Sequence, residues 1–300
     1  MGNNHSHSHE TNYGRAFSIG VALNLLFVIV EFLFGKWSNS VALVADAGHN
    51  LSDVLGLALA WVAAILAKRS PTPNRTYGLR RSSILAAVIN ASLLLIVVGA
   101  IVREAFGRLA APEPVASKTI VVVAAVGIIV NVLTALFFLS GRKDDLNVRA
   151  AFMHLMADAV VSLGVVVAGV VILATGCQLL DPLVSLVVSI VIVLGTWQVL
   201  RDSVNLALDA VPGSINVHEV RLYLENVPGC TNVHDLHIWA MSTTETALTA
   251  HLIIEDLNNN DILLAKITHD LHDKFGIEHA TLQLENGDPD FFCHCRLLTT

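Results

Sequence analysis

Charge is scarce in this chain. Only 14% of its 300 residues are Asp, Glu, Lys or Arg, against about 25% in an ordinary soluble domain. That deficit excludes a protein bathed in water along its whole length. Cysteine is rare too: Cys177, Cys230, Cys293 and Cys295 are too few and too scattered for a disulfide framework. The last two flank His294, a spacing that suits a metal clip better than a staple. There is no G-x-x-x-x-G-K-[ST] loop to cradle a nucleotide phosphate. There is no H-E-x-x-H either, since His9-Glu10 and His218-Glu219 both lack the second histidine, which argues against a zinc protease. The N-terminus is polar, carries His5, His7 and His9, and has no look of a cleavable signal peptide.

What the chain does have is long apolar runs followed by an acidic tail. A helix needs about 20 apolar residues to cross the hydrocarbon core. Six segments qualify, roughly 15–36, 41–66, 82–107, 117–140, 146–175 and 179–200. From Leu206 onward there are 14 Asp/Glu against 4 Lys/Arg, a net of −10, so the remainder carries +3 of the total −7. Eight of the 13 histidines also lie there. Two physically different domains follow a short His-rich tail over 1–14: a six-helix membrane domain over 15–205 and a soluble domain over 206–300. An acidic, His-rich surface repels nucleic acid and suits a cation. Basic residues cluster in the second-to-third connection (Lys68, Arg69, Arg75, Arg80, Arg81) and the fourth-to-fifth (Arg142, Lys143, Arg149). The positive-inside rule then places both termini in the cytoplasm.

After Arg201 the segments shorten. Residues 217–227 are predicted as a helix, 231–241 and 246–255 as strands, 261–275 as a helix and 279–285 as a strand. Along 247–253 polar and apolar residues alternate, as in a half-buried strand. The order α-β-β-α-β predicts a small α/β sandwich like metallochaperone modules, and its small size favours a dimer.

Ionisable groups sit inside two of the apolar runs. The second contains His49-x-x-x-Asp53 and the fifth His154-x-x-x-Asp158. Four residues of helix put each pair on one face. Two such faces supply two imidazoles and two carboxylates, a set that fits tetrahedral Zn²⁺; Co²⁺, Ni²⁺ and Cd²⁺ are not separated from it by ligand type alone. A lone polar residue in a span is commonly interhelical glue, which suits Glu31, Asn24, Asn90 and Asn131. Four ionisable groups at about 2.5–3.5 kcal/mol each on insertion scales need a stronger reason. Asp46, three residues before His49, is expected as a supporting acceptor or an entry group. Ligation needs neutral His and ionised Asp, so metal and protons compete. A site opening alternately to each side would exchange one for the other. A membrane-tethered zinc sensor and a passive channel are the rival readings.

Taken together, Leu43-Val44-Ala45-Asp46-Ala47-Gly48-His49, the paired His-x-x-x-Asp motifs and Val233-His234-Asp235-Leu236-His237-Ile238-Trp239 resemble the cation diffusion facilitator family, in its bacterial zinc or cobalt–zinc–cadmium branch. The resemblance covers nearly the whole chain. It implies six transmembrane helices, a cytosolic ferredoxin-like domain, a homodimer in the inner membrane and zinc/proton exchange, with His49, Asp53, His154 and Asp158 as the transport site. Relatives with Asp or Asn in place of His49 tend towards other metals, so His49 supports zinc. The resemblance also implies a regulatory metal held by His234, His251 and Glu285. Cys293 and Cys295 are similar to C-terminal thiols that bind a second zinc in some relatives, completed there by N-terminal histidines, for which His5, His7 and His9 are the candidates. The thiol spacing in those relatives is wider than C-x-C. Eukaryotic vesicular relatives carry a long His-rich loop where this chain has only 140–145.

Overall fold

The protein is described by a computed structural model covering residues 10–137, 146–255 and 260–286. Within them the order is α1 (Glu10–Trp37), α2 (Val41–Ala67), α3 (Ser82–Ala110), α4 (Ser117–Phe137), α5 (Leu146–Thr175), α6 (Leu180–Ala207), α7 (Val217–Glu225), β1 (Cys230–Ala240), β2 (Thr246–Ile254), α8 (Asn260–Phe275) and β3 (His279–Asn286). The α-β-β-α-β reading of the tail corresponds to α7 through β3, with ends within about two residues of those predicted. Among the described residues, five helices are long and apolar enough to cross a bilayer: α2, α3, α4, α5 and α6. The first predicted span, 15–36, falls in α1, a 28-residue helix whose side chains are described only from Ala22. His5, His7, His9, Cys293 and Cys295 lie outside the described residues.

The chain divides into two compact units. The first holds residues up to 58 together with 89–198. Its helices are apolar on nearly every side, as expected where lipid rather than water is the solvent, so their association depends on close fit and on a few polar links. Small residues supply the fit. Gly169 on α5 lies where a Cβ would come within 2.8 Å of Val121 Cγ2 and 3.2 Å of Ile120 Cγ2 on α4. Gly127 on α4 likewise receives the Phe27 ring of α1, whose Cζ stands 2.7 Å from where a Cβ would be. One apolar cluster joins α2, α3 and α6 through Val41, Ala45, Leu94, Val98, Val188 and Ile192; another joins α2, α4 and α5 through Ala42, Leu43, Ile120, Ala124 and Val165.

Polar links fix the start of α2. Asp181 of α6 accepts the Val41 backbone N–H at 2.7 Å and the Ser40 hydroxyl, meeting one of the N–H groups that a helix start leaves without partners. Asn39, in the turn before α2, has φ of 57°, a left-handed conformation that Asn tolerates better than most residues. Arg108 of α3 holds it there, donating to its carbonyl and, at 2.7 Å, to its Oδ1.

The second unit holds 59–88 and the residues from Val199 onward. Its sheet has the order β1-β2-β3, with β1 and β2 antiparallel and β2 and β3 parallel through the α8 crossover. Val220 and Leu224 of α7, Ile267 and Leu271 of α8, and Leu248, Leu252 and Ile254 of β2 form a dry core. The antiparallel register sets His234 opposite His251, and a register shift follows between His234 and His237. The α2–α3 connection is attached to this domain: Arg80 pairs with Glu245 at 3.0 Å, Arg81 with Asp209, and the Ser83 hydroxyl accepts the Thr243 N–H at 3.1 Å.

The glycine contact between α4 and α5 leads to a direct test. Gly169→Leu is expected to force those helices apart and to destabilise the protein by about 1–3 kcal/mol, the usual cost of overpacking. Thermal unfolding in detergent measures it. The same change at Gly164, whose Cβ would meet nothing within 4 Å, should leave the midpoint near wild type.

Candidate metal centres

Helix spacing brings His49 and Asp53 onto one face of α2, and His154 and Asp158 onto one face of α5. The two faces meet, so histidine and aspartate alternate around a small ring. His49 Nε2 lies 3.3 Å from Asp158 Oδ1 and 3.8 Å from Asp53 Oδ2, while His154 Nε2 lies 3.3 Å from Asp53 Oδ2 and 3.6 Å from Asp158 Oδ2. Zinc bonds of about 2.0–2.2 Å would set tetrahedral ligands about 3.3–3.6 Å apart, close to these separations. Ligand atoms of His49, Asp53 and Asp158 all lie within 4.8 Å of one another. The two imidazoles stand farther apart, ring centroids 6.2 Å, with His154 joined to the set through both carboxylates. Asp53 Oδ2 and His49 Nδ1 are buried with no hydrogen-bond partner. A buried anionic oxygen without a donor favours a nearby cation, and Glu31 Oε1 and Asp46 Oδ1 are in the same state.

The ring is not equally accessible all round. Side-chain exposure is 48% for His154 and 32% for Asp53, but 21% for His49 and 6% for Asp158. The opening therefore lies on the side of His154 and Asp53, which are the members nearer the C-terminal end of α2 and the N-terminal end of α5.

Asp46 does not join the ring. It is fully buried and accepts the Ser162 hydroxyl of α5 at 2.8 Å. Ser162 is one turn beyond Asp158, so this bond sets α2 against α5 just below the ligands. Glu31 of α1 is also fully buried and accepts Asn50 Nδ2, next to His49, at 3.1 Å. Glu31, read as interhelical glue, thus ties α1 to α2 at the residue after His49.

A second cluster forms in the α/β domain. Glu285 at the end of β3 bonds His251 Nδ1 through Oε1 at 2.7 Å and His234 Nε2 through Oε2 at 3.0 Å. Ligand atoms of His234, His251 and Glu285 also lie within 4.8 Å of one another. The pattern of residues did not single out Asp235. It takes φ of 51° within the register shift, and its carboxylate reaches His237 Nε2 at 3.0 Å and His251 Nε2 at 3.7 Å. Its place between His234 and His237 was the available signal, but the irregular backbone that turns it toward His251 has no periodicity to betray it. His269 and His272, by contrast, pair on the surface with Asp273, apart from this cluster.

A polytopic helical domain with a ring of His and Asp buried between two helices, joined to a small α/β domain with a second such cluster, is the plan of a membrane cation carrier and not of an enzyme. The cation efflux transmembrane domain matches residues 18–206, and the cation efflux protein cytoplasmic domain matches residues 212–287. The chain belongs to the cation efflux family, the cation diffusion facilitators. It is 34% identical to the "Cadmium, cobalt and zinc/H(+)-K(+) antiporter" of Bacillus velezensis over 98% of this chain and 96% of that one. It is 36% identical to the metal cation efflux system protein CzcD of Cupriavidus metallidurans, over 95% and 90% of the two chains. Zinc transporter ZitB of Escherichia coli (strain K12) is also 36% identical, over 94% and 92%. The solved metal-bound C-terminal domain of CzcD matches 24% of this chain and 99% of its own at 35% identity, with a TM-score of 0.23.

The histidine–glutamate contacts carry a pH signature. Burial works against the Glu285 charge, but the hydrogen bonds with His234 and His251 outweigh it and hold the carboxyl below its ordinary value. A depressed carboxyl contributes stability above its unfolded-state value of about 4.3 and loses it as pH falls through the lower folded value. With chelator present, Glu285→Gln is expected to lower the thermal midpoint of the α/β domain at neutral pH. The gap to wild type should close as the solution is acidified below about pH 4. A gap that ignores pH would assign the loss to packing instead.

Proposed function

We propose that this protein exports Zn²⁺ from the cytoplasm in exchange for protons, with His49, Asp53, His154 and Asp158 as its transport site. The observation that carries this reading is the ring in which two imidazoles alternate with two carboxylates, neighbouring His and Asp atoms 3.3–3.8 Å apart. Relatives named for zinc, cadmium and cobalt support a divalent transition metal as cargo, with Co²⁺, Cd²⁺ and Ni²⁺ as alternatives, and the proton named for one of them supports the exchange. Zinc binds when His is neutral and Asp ionised; protons that arrive at the same four groups release it. The ring can thus carry one kind of cation in each direction, and the two loads never need to share it.

The chain sits in the inner membrane with six spans and both termini in the cytoplasm, and its three parts are residues 1–14, 15–205 and 206–300. In that orientation the open side of the ring, toward His154 and Asp53, faces the cytoplasm. Asp46 braces the ring through Ser162 without touching the metal. The cytosolic domain forms the homodimer and holds a regulatory metal at His234, His251 and Glu285, with Asp235 orienting His251 from its other nitrogen. Two tails each near −10 repel across a dimer axis, and bound divalent cations relieve that repulsion. Cys293, Cys295 and the histidines His5, His7 and His9 are assigned to gathering zinc at the cytoplasmic face.

Proteoliposomes with an imposed pH gradient test the reading. Zn²⁺ flux driven by the gradient is expected in wild type and at least 100-fold less in Asp158→Ala, about 3 kcal/mol for leaving a buried ligand set incomplete. Flux that ignores the gradient would make the protein a channel. No flux beside tight zinc binding would make it a tethered sensor.

A further inference from the structure

Some cations of the membrane domain have no protein partner among the described residues, and two of them share one groove. Lys36, in the last turn of α1, and Arg103 of α3 are both exposed, and neither side chain makes an ion pair or hydrogen bond among the described residues. Arg108, little more than one turn along α3, is fully engaged by Glu104, the Asn39 carbonyl and Asn39 Oδ1. Depth makes the contrast significant. Arg103 precedes the end of α3 at Ala110 by seven residues, which is about 10 Å of helix. A guanidinium at that level cannot face hydrocarbon bare; it must pair or reach the headgroup layer.

Lys36 and Arg103 line one groove of about 550 Å³ between α1, α2 and α3. Its α2 wall is Val41, Val44, Gly48 and Leu51, spaced as a single helical stripe. Asp46, His49 and Asp53 fall on the opposite face of the same turns. Phe32, Val97 and Ile101 complete an apolar floor. At the rim Arg108 is shared by Glu104 at 3.1 Å and Glu113 at 3.9 Å, so the groove offers an apolar slot below and, above it, the two unpaired cations Lys36 and Arg103 in a surrounding that stays net positive.

We infer that this groove binds one anionic phospholipid, its phosphate between Lys36 and Arg103 and the upper part of an acyl chain along the α2 stripe. One phosphodiester answers both cations only if the headgroup brings no positive charge of its own, which favours phosphatidylglycerol over phosphatidylcholine. The lipid braces the back of the α2 turn that carries His49. The inference is independent of what the ring transports, because its readout is lipid retention.

Native mass spectrometry of the full-length protein in mild detergent, titrated with dioleoyl phosphatidylglycerol or dioleoyl phosphatidylcholine, tests it. One phosphatidylglycerol is expected to be held about fivefold more tightly per cation than phosphatidylcholine, the equivalent of about 1 kcal/mol each. Lys36→Gln/Arg103→Gln should abolish the preference, Lys36→Arg/Arg103→Lys should keep it, and Lys118→Gln, in the neighbouring groove of about 390 Å³, should also keep it. Equal retention of the two lipids by wild type overturns the proposal without any variant. So does a preference that survives loss of both charges, or displacement of the lipid by inorganic phosphate alone.

Discussion

Carboxylates inside an apolar helical domain must each find a specific partner, and in this protein nearly all of them find it on, or from, α2. Asp181 of α6 takes the start of the helix through Val41 and Ser40. Glu31 of α1 takes Asn50 in its middle, and Asp46 reaches out from it to Ser162 of α5. Those three links are hydrogen bonds within the protein, although one oxygen of Glu31 and one of Asp46 remain without a partner. The fourth, where His49 and Asp53 meet His154 and Asp158, gathers two imidazoles and two carboxylates and leaves His49 Nδ1 and Asp53 Oδ2 unpaired. A buried acid whose partner is removed costs several kcal/mol, which favours keeping the first three links closed.

That asymmetry gives α2 and α5 one junction sensitive to its load among several that are not. The ring lies between a fixed side, where Asp46 and Ser162 are buried, and a more open side, where His154 is exposed and Asp53 half-buried. Charge added or removed at the ring changes the attraction between exactly two helices. Close fit elsewhere comes from glycines that admit neighbouring side chains, as at Gly127 and Gly169, and contacts of that kind carry no charge to respond with.

The α/β domain solves the same problem in water. Its cluster is assembled from three strands, with both oxygens of Glu285 committed to different histidines. The three side chains hold one another in place, and the depressed carboxyl is the measurable consequence. The α2–α3 connection is pinned to this domain by Arg80 and Ser83.

Much of this was legible without coordinates, because it rests on periodicity. Runs of about 20 apolar residues, the alternation along β2 and the four-residue spacing of His49/Asp53 and His154/Asp158 are local patterns, and regular helices and strands translate them directly into faces. The motif pair even predicted its own meeting, since neither half completes a ligand set alone. Other features had no local pattern to carry them. That Glu31 accepts from Asn50, that Asp46 belongs to Ser162, that Asp235 turns toward His251 at a bulge, and that Arg108 is satisfied while Arg103 is not are all decided by contacts between residues far apart in the chain. Sequence by itself determined which residues bear charge in the membrane and on which helical face. Only the tertiary structure decided which of those charges are already answered, because a partner's position is a property of the packed fold and not of the chain.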